Sequence, residues 1–197
     1  MEAGTVPSIL TDEELVTSTL LERNDFVYLV ERYEEKLGRY VRRLGIKTDE
    51  DVEDTLQEIF IKVYKNLNGF NHNLSFSSWI YRIAHNEAIS FYRKRSVRPE
   101  GHLVAVGDEV LLWQPATDTM LPDKLYDLAV DANLLNQALK DLPPKYKNPL
   151  ILRYFEYKEY DEISDILKIP PSSVGTLIHR GKKLLQTALV SSRPPTI

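Results

Sequence analysis

From Leu15 to Phe91, and again from Leu134 to Leu185, apolar residues recur at three- and four-residue steps. That spacing stacks side chains along one side of an α-helix but scatters them over both faces of a strand, so it confines the chain to helices. The longest stripe runs Phe26, Leu29, Val30, Tyr33, Leu37, Tyr40, Val41 and Leu44; a second runs Leu56, Ile59, Phe60 and Val63. Between the periodic blocks, Pro99, Gly101, Gly107, Pro115 and Pro122 break any long helix. The expected fold is all-α: a helical domain over residues 10–96, a linker over 97–130, and a second helical domain over 131–190.

Local signals refine the boundaries. Residues 1–10 read as a frayed end. Thr11 or Asp12 suits a helix cap, with acids at 12, 13 and 14 near the positive end of the helix dipole. A second helix is expected from Asn24 or Asp25, stopping at Gly45. Leu134, Leu135, Ala138 and Leu139 suit a short helix ended by Pro143 and Pro144, and Asn148–Pro149 reads as the cap and first position of the next. In the linker, Val104, Val110, Leu111, Leu112 and Trp113 are too apolar for a wholly solvated tether. They suit docking on a flanking domain, or entry into a partner's groove.

Composition narrows the function classes. Among 197 residues there is no cysteine, so disulfides and thiolate metal sites are excluded. The histidines at 72, 85, 102 and 179 have no metal-ligand spacing, and no nucleophile, base and orienting group fall together, so an enzyme is not expected. No cofactor or small-molecule substrate is implied. No apolar run reaches membrane-spanning length and no export signal opens the chain, so membrane insertion is not expected and a cytoplasmic location is. The net charge of −4 opposes indiscriminate polyanion binding but leaves room for local basic surfaces.

Two stretches carry such surfaces. The first is Asp51 to Arg95: an acidic-then-apolar helix, a loop from Asn68 to Ser78 holding Phe70, Leu74 and Phe76 among polar residues, and a helix ending in Arg93, Lys94 and Arg95. Cations can meet phosphates there, and polar or aromatic groups can stack on or hydrogen-bond to unpaired bases. A helical hairpin with Phe70, Phe76 and Trp79 in its core and a solvated basic end explains the same residues. The second stretch, Tyr160 to Leu185, reads as a short helix, a tight Ile169–Pro170–Pro171 connection and a second helix started by Ser172 or Ser173. This is a helix-turn-helix, whose second helix can enter a DNA major groove. That helix would turn Val174, Leu177, Ile178 and Leu184 or Leu185 inward and Thr176, His179, Arg180, Lys182 and Lys183 outward. A protein-binding helical domain remains open on the same pattern.

The segments DVEDTLQEIFIKVYKNLNGF, FSSWIYRIAHNEAISFYRKR and LKDLPPKYKNPLILRYFEYKEYDEISDILKIPPSSVGTLIHRGKKLL resemble the bacterial RNA polymerase sigma factors, specifically the compact two-domain extracytoplasmic-function type of the sigma-70 family. The likeness runs from about Asp12 to about Leu189. It implies sigma domain 2, a flexible linker and sigma domain 4. Asp54, Gln57, Glu58, Ile61 and Lys62 match the helix that docks on core RNA polymerase. Asn68, Asn71, His72, Asn73, Ser75 and Phe76 match the loop that captures a flipped −10 base. Arg82, Asn86, Arg93, Lys94 and Arg95 match the helix lining the −10 duplex and its melted strand. Ser172, Ser173, Thr176, His179, Arg180, Lys182 and Lys183 match the helix that reads the −35 element.

The resemblance therefore implies a factor that binds core RNA polymerase, recognises promoter DNA and starts transcription, with an anti-sigma protein as a further partner. The chain departs from the family pattern at several places. Ser90 stands for a common acid, Gly175 and Leu177 for two cations, Lys158–Glu159 for Leu-Ser, and Pro149 for a helix former. Gly175 and Gly181 each cost a helix interior about 1 kcal/mol relative to Ala. These departures suggest weaker autonomous −35 binding. A helix-turn-helix repressor or activator, or a polymerase-interacting regulator without promoter specificity, are the alternatives.

Overall fold

The computed structural model describes residues 10–72, 74–96 and 132–191. Among them there are helices and turns but no strand. The expected frayed start and the linker with its apolar run lie outside the described residues. The chain divides into two compact units: α1 to α4, apart from residues 43–47, make the first, and α5 to α8 the second.

In the first unit, α1 (Asp12–Leu21) is capped by Thr11. The Glu14 N–H donates to the Thr11 hydroxyl at 3.2 Å, and the Thr11 N–H donates to the Glu14 carboxylate at 2.6 Å, which satisfies two otherwise orphaned donors. A 3₁₀ turn over Arg23–Asp25 leads into α2 (Phe26–Leu44). α2 stops at Gly45, whose φ of 120° is open to glycine alone without strain. Thr48 caps α3 (Asp49–Asn66), which ends in a 3₁₀ turn over Leu67–Gly69. After the loop comes α4 (Phe76–Ser96).

The core holds Leu15 and Val16 of α1, Leu29, Leu37 and Val41 of α2, Ile59 and Val63 of α3, and Ile80 and Ala84 of α4, all fully buried. At one end the rings of Tyr33, Phe70 and Trp79 lie 5.5–5.6 Å from that of Phe76. The first turn of α1 secures this end. Asp12 accepts from Arg32 at 2.9 Å and from the Tyr33 hydroxyl, and Glu13 accepts from the Phe76 N–H at 3.3 Å. Burial, then the Asp12 carboxylate, raises the Tyr33 phenol above its ordinary range. Burial also lowers His85, whose Nδ1 lies 3.1 Å from the Tyr40 hydroxyl, to about 4.

The second unit comprises α5 (Ala132–Asp141), α6 (Pro144–Tyr154), α7 (Tyr160–Leu167) and α8 (Pro171–Ser191). Here two expectations are corrected. Asn148–Pro149 is no helix start: Pro144 takes the first position of α6 and Pro149 lies inside it, buried. Pro149 lacks the N–H that would reach the carbonyl four residues back, so the helix gives up one bond there and keeps the ring in the core. Likewise α8 begins at Pro171, ahead of Ser172, because the first helical N–H needs no partner and proline's φ is already helical. The turn between α7 and α8 passes through Lys168 at φ 55°, and the Ser164 hydroxyl donates to the Ile169 carbonyl at 2.7 Å. Ile163, Ile166, Val174, Ile178, Leu185 and Leu189 close the core against Leu150, Ile151 and Leu152 of α6.

Candidate functional site

On α3, Val52, Thr55, Ile59 and Val63 face the core. Asp54, Gln57, Glu58, Ile61 and Lys62, spaced three and four apart on the other side, are all exposed. Lys62 is engaged: its ammonium pairs with the carboxylate of Glu87 on α4. Asp51 at the start of α3 pairs with Arg95 at the end of α4, 2.8 Å apart, so the two helices run antiparallel.

The loop sorts its residues by polarity. Asn68, Asn71, His72 and Ser75 are exposed, and Asn73 lies outside the described residues. The expected placement of Phe76 in the loop is corrected. It is the first residue of α4, not a loop residue, and is fully buried in the aromatic cluster. Phe70 is buried with it, while the exposed His72 ring packs edge-on against Phe70 at 5.1 Å. An apolar ring beside Tyr33 and Trp79 gains more from core packing than from water, so the aromatics turn inward and the amides outward.

The basic end of α4 splits in two. Arg82, Asn86 and Arg93, at four- and seven-residue intervals, share one face, where Ile89 is 43% exposed. Lys94 and Arg95 lie instead over a cleft of about 550 Å³ between α3 and α4, opposite Asp54, Gln57 and Glu58.

On α8, Ser172, Thr176, His179, Arg180 and Lys183 form an exposed face, with Ser173 half-buried at its edge. Lys182 is drawn off that face, its ammonium 4.9 Å from the centre of the Tyr154 ring. Between the two inward alternatives, Leu185 is buried and Leu184 exposed. The glycines have different surroundings. A Cβ on Gly181 would lie 3.0 Å from Leu150 Cδ1 and 3.2 Å from the Tyr146 carbonyl oxygen, so its absence lets α6 and α8 approach closely. A Cβ on Gly175 would meet only the edge of the Tyr160 ring, at 3.3 Å. Glu159, one of the departures from the family pattern, caps α7: its N–H donates to the Glu162 carboxylate at 2.9 Å, and Arg153 pairs with Glu159 at 2.7 Å.

Among the described residues, no group of three or more His, Cys, Asp or Glu could hold a metal ion, and no helix is long and apolar enough to cross a membrane.

The Sigma-70 region 2 family profile matches residues 29–98, and the Sigma-70 region 4 profile matches residues 132–185. The chain is 34% identical over 172 residues to the ECF RNA polymerase sigma factor SigW of Bacillus subtilis, covering 85% of this chain and 90% of that one. This chain belongs to the ECF sigma factors of the sigma-70 family. Two solved structures share the fold of this sigma factor. CnrH, in complex with the cytosolic domain of CnrY, is 20% identical with a TM-score of 0.67, over 92% of this chain and 99% of that one. The sigma factor RpoE of Bartonella quintana, in complex with the anti-sigma factor NepR, is 21% identical with a TM-score of 0.66, over 86% and 99%. The region 2 match takes in the exposed face of α3, the loop and α4; the region 4 match takes in α7 and most of α8.

Proposed function

We propose that this sigma factor binds core RNA polymerase, carries it to promoters and helps open the −10 DNA, with its second unit holding the −35 element. The observation that carries the reading is the region 2 match over residues 29–98, within which the predicted docking residues of α3 lie together and exposed. Asp54, Gln57, Glu58 and Ile61 dock on the polymerase, and Lys62 shapes that face through Glu87. At the loop, Asn68, Asn71, His72, Asn73 and Ser75 meet the melted strand. With Phe70 and Phe76 buried, His72 is the aromatic ring left at the loop surface for stacking, and the amides supply edge hydrogen bonds. Trapping an unpaired base can offset the few kcal/mol that flipping it costs.

Arg82, Asn86 and Arg93 line the −10 DNA. Ser172, Ser173, Thr176, His179, Arg180 and Lys183 contact the −35 duplex, most of them at phosphates. The working boundaries are 10–96 for the first domain, 97–130 for the linker and 131–190 for the second. This sigma factor acts in the cytoplasm, the bond-making chemistry belongs to the polymerase, and an anti-sigma protein is a further partner; a solved sigma factor of the same fold in complex with one supports this. In vitro transcription with core enzyme on a promoter library tests the reading. Initiation at a discrete set of promoters only when this chain is added is expected; no stimulation of specific initiation would overturn it.

A further inference from the structure

The basic cluster at the end of α4 reads in sequence as one DNA-binding group. In the fold it does not act as one. Arg93 sits on the face with Arg82 and Asn86, at spacings of four and seven residues, about one and two helical turns, that keep the three side chains on one side of the helix. Lys94 and Arg95 come round to the side that packs on α3. There they border the 550 Å³ cleft whose other wall is Asp51, Asp54, Gln57 and Glu58. Phe91, half-buried, adds an apolar patch to the lining.

The charges of this cleft argue against a phosphate backbone. Arg95 is held by Asp51 at 2.8 Å, and Glu87 is held by Lys62. Once these pairs are set aside, Asp54 and Glu58 face Lys94, and none of these three has an ion-pair partner among the described residues. A polyanion entering the cleft would meet two open carboxylates for one open ammonium. Field lines in a concave site follow the local balance, so a phosphodiester strand is repelled there. A protein segment with a cation one or two helical turns from a carboxylate would instead find both signs matched.

We infer that Lys94 and Arg95 belong to a protein-docking cleft shared with the acids of α3, and that the cleft takes a segment of core RNA polymerase carrying both signs of charge. This rests on the reading that α3 docks on the polymerase, and deepens it. A cation of the partner lies against Asp54 and Glu58, a carboxylate lies against Lys94, and Asp51 keeps Arg95 in place as part of the rim. DNA contact at this end of α4 is left to Arg93.

Binding of the labelled full chain to core RNA polymerase in the absence of DNA tests the inference, with Lys94→Glu and Arg93→Glu compared side by side. Both residues are exposed, so the fold is expected to survive, and circular dichroism checks it. Lys94→Glu should weaken core binding about tenfold or more, because a carboxylate would then face the partner's own. Arg93→Glu should leave core affinity within about twofold and instead weaken binding of the assembled holoenzyme to a −10 fork oligonucleotide. The reverse pattern, with Lys94→Glu sparing core affinity and reducing only fork binding, would return Lys94 to the DNA surface and overturn the inference. A wild-type chain that does not bind core enzyme at all would overturn the underlying docking reading, and this inference with it.

Discussion

Replacing each of two glycines of α8 by alanine should move stability in opposite directions. Helix propensity alone favours alanine by about 1 kcal/mol at either position. At Gly175 the new methyl group meets one atom within 3.4 Å, the Tyr160 ring edge, and that ring is 43% exposed and free to tilt by a few tenths of an ångström. Most of the propensity gain should survive, giving a net stabilisation of about 0.5–1 kcal/mol. At Gly181 the methyl meets Leu150 Cδ1 at 3.0 Å, Leu150 Cγ at 3.2 Å and the Tyr146 carbonyl oxygen at 3.2 Å. Leu150 is 2% exposed and the carbonyl belongs to the α6 backbone, so neither can yield without moving a helix. Overpacking of this kind costs about 1–3 kcal/mol, which outweighs the propensity gain and leaves a net loss of up to about 2 kcal/mol. Chemical denaturation followed by circular dichroism measures both. Because the chain holds two units, hydrogen exchange read on the amides of α6 and α8 assigns the change to the second. If Gly181→Ala stabilised as much as Gly175→Ala, the close approach of α6 and α8 would be no constraint and the reasoning would fail.

Trp79→Ala should cost the first unit about 3–5 kcal/mol, because the indole is buried between Phe70 and Phe76; thermal melting with little change would place Trp79 outside the core. His85 titrates at about 4 in the fold against 6.5 when unfolded, so the native state refuses a proton that the unfolded chain accepts between those values. Stability should therefore be fully present above pH 6.5 and fall as pH drops toward 4, by on the order of 3 kcal/mol, and His85→Gln should flatten that part of a melting-temperature profile. Arg180→Ala should reduce the salt slope of −35 duplex binding by about one, while Lys182→Ala, whose ammonium rests on Tyr154, should reduce it less; equal slopes would place both at phosphates.

Much of this architecture was legible in the residue order because its helices have one dry side. Phe26 to Leu44 declared both its period and, through Gly45, its end, and Thr11 or Asp12 ahead of three acids declared a helix start. The face of α3 was equally plain: Asp54, Gln57, Glu58 and Lys62 fall largely outside the side that holds Ile59 and Val63 by spacing alone. What the spacing could not settle were features decided by tertiary packing. Pro149 looked like a helix start because local chemistry favours it there, yet Pro144 already supplied one and the core accepted the second ring. Phe76 looked like a loop aromatic because the helix boundary could not be fixed within a residue or two, and that small shift moves it from solvent into the core. The run Arg93–Lys94–Arg95 looked like a single patch, although consecutive helical residues point about 100° apart, so a cluster in sequence need not be a cluster in space. Gly181 read as a blemish in a helix; only the neighbouring α6 shows what the missing methyl group permits.

The loop ahead of α4 is an arch with both abutments fixed. Phe70 is set into the aromatic cluster at one foot, and at the other the N–H of Phe76 is gripped by Glu13, a carboxylate from the opposite end of the unit's sequence. Any rearrangement between these two feet must then take place with both ends tied to the core of the unit. The same grip makes the opening turn of α1 the keystone's counterweight: pulling on it should be felt first where the arch lands.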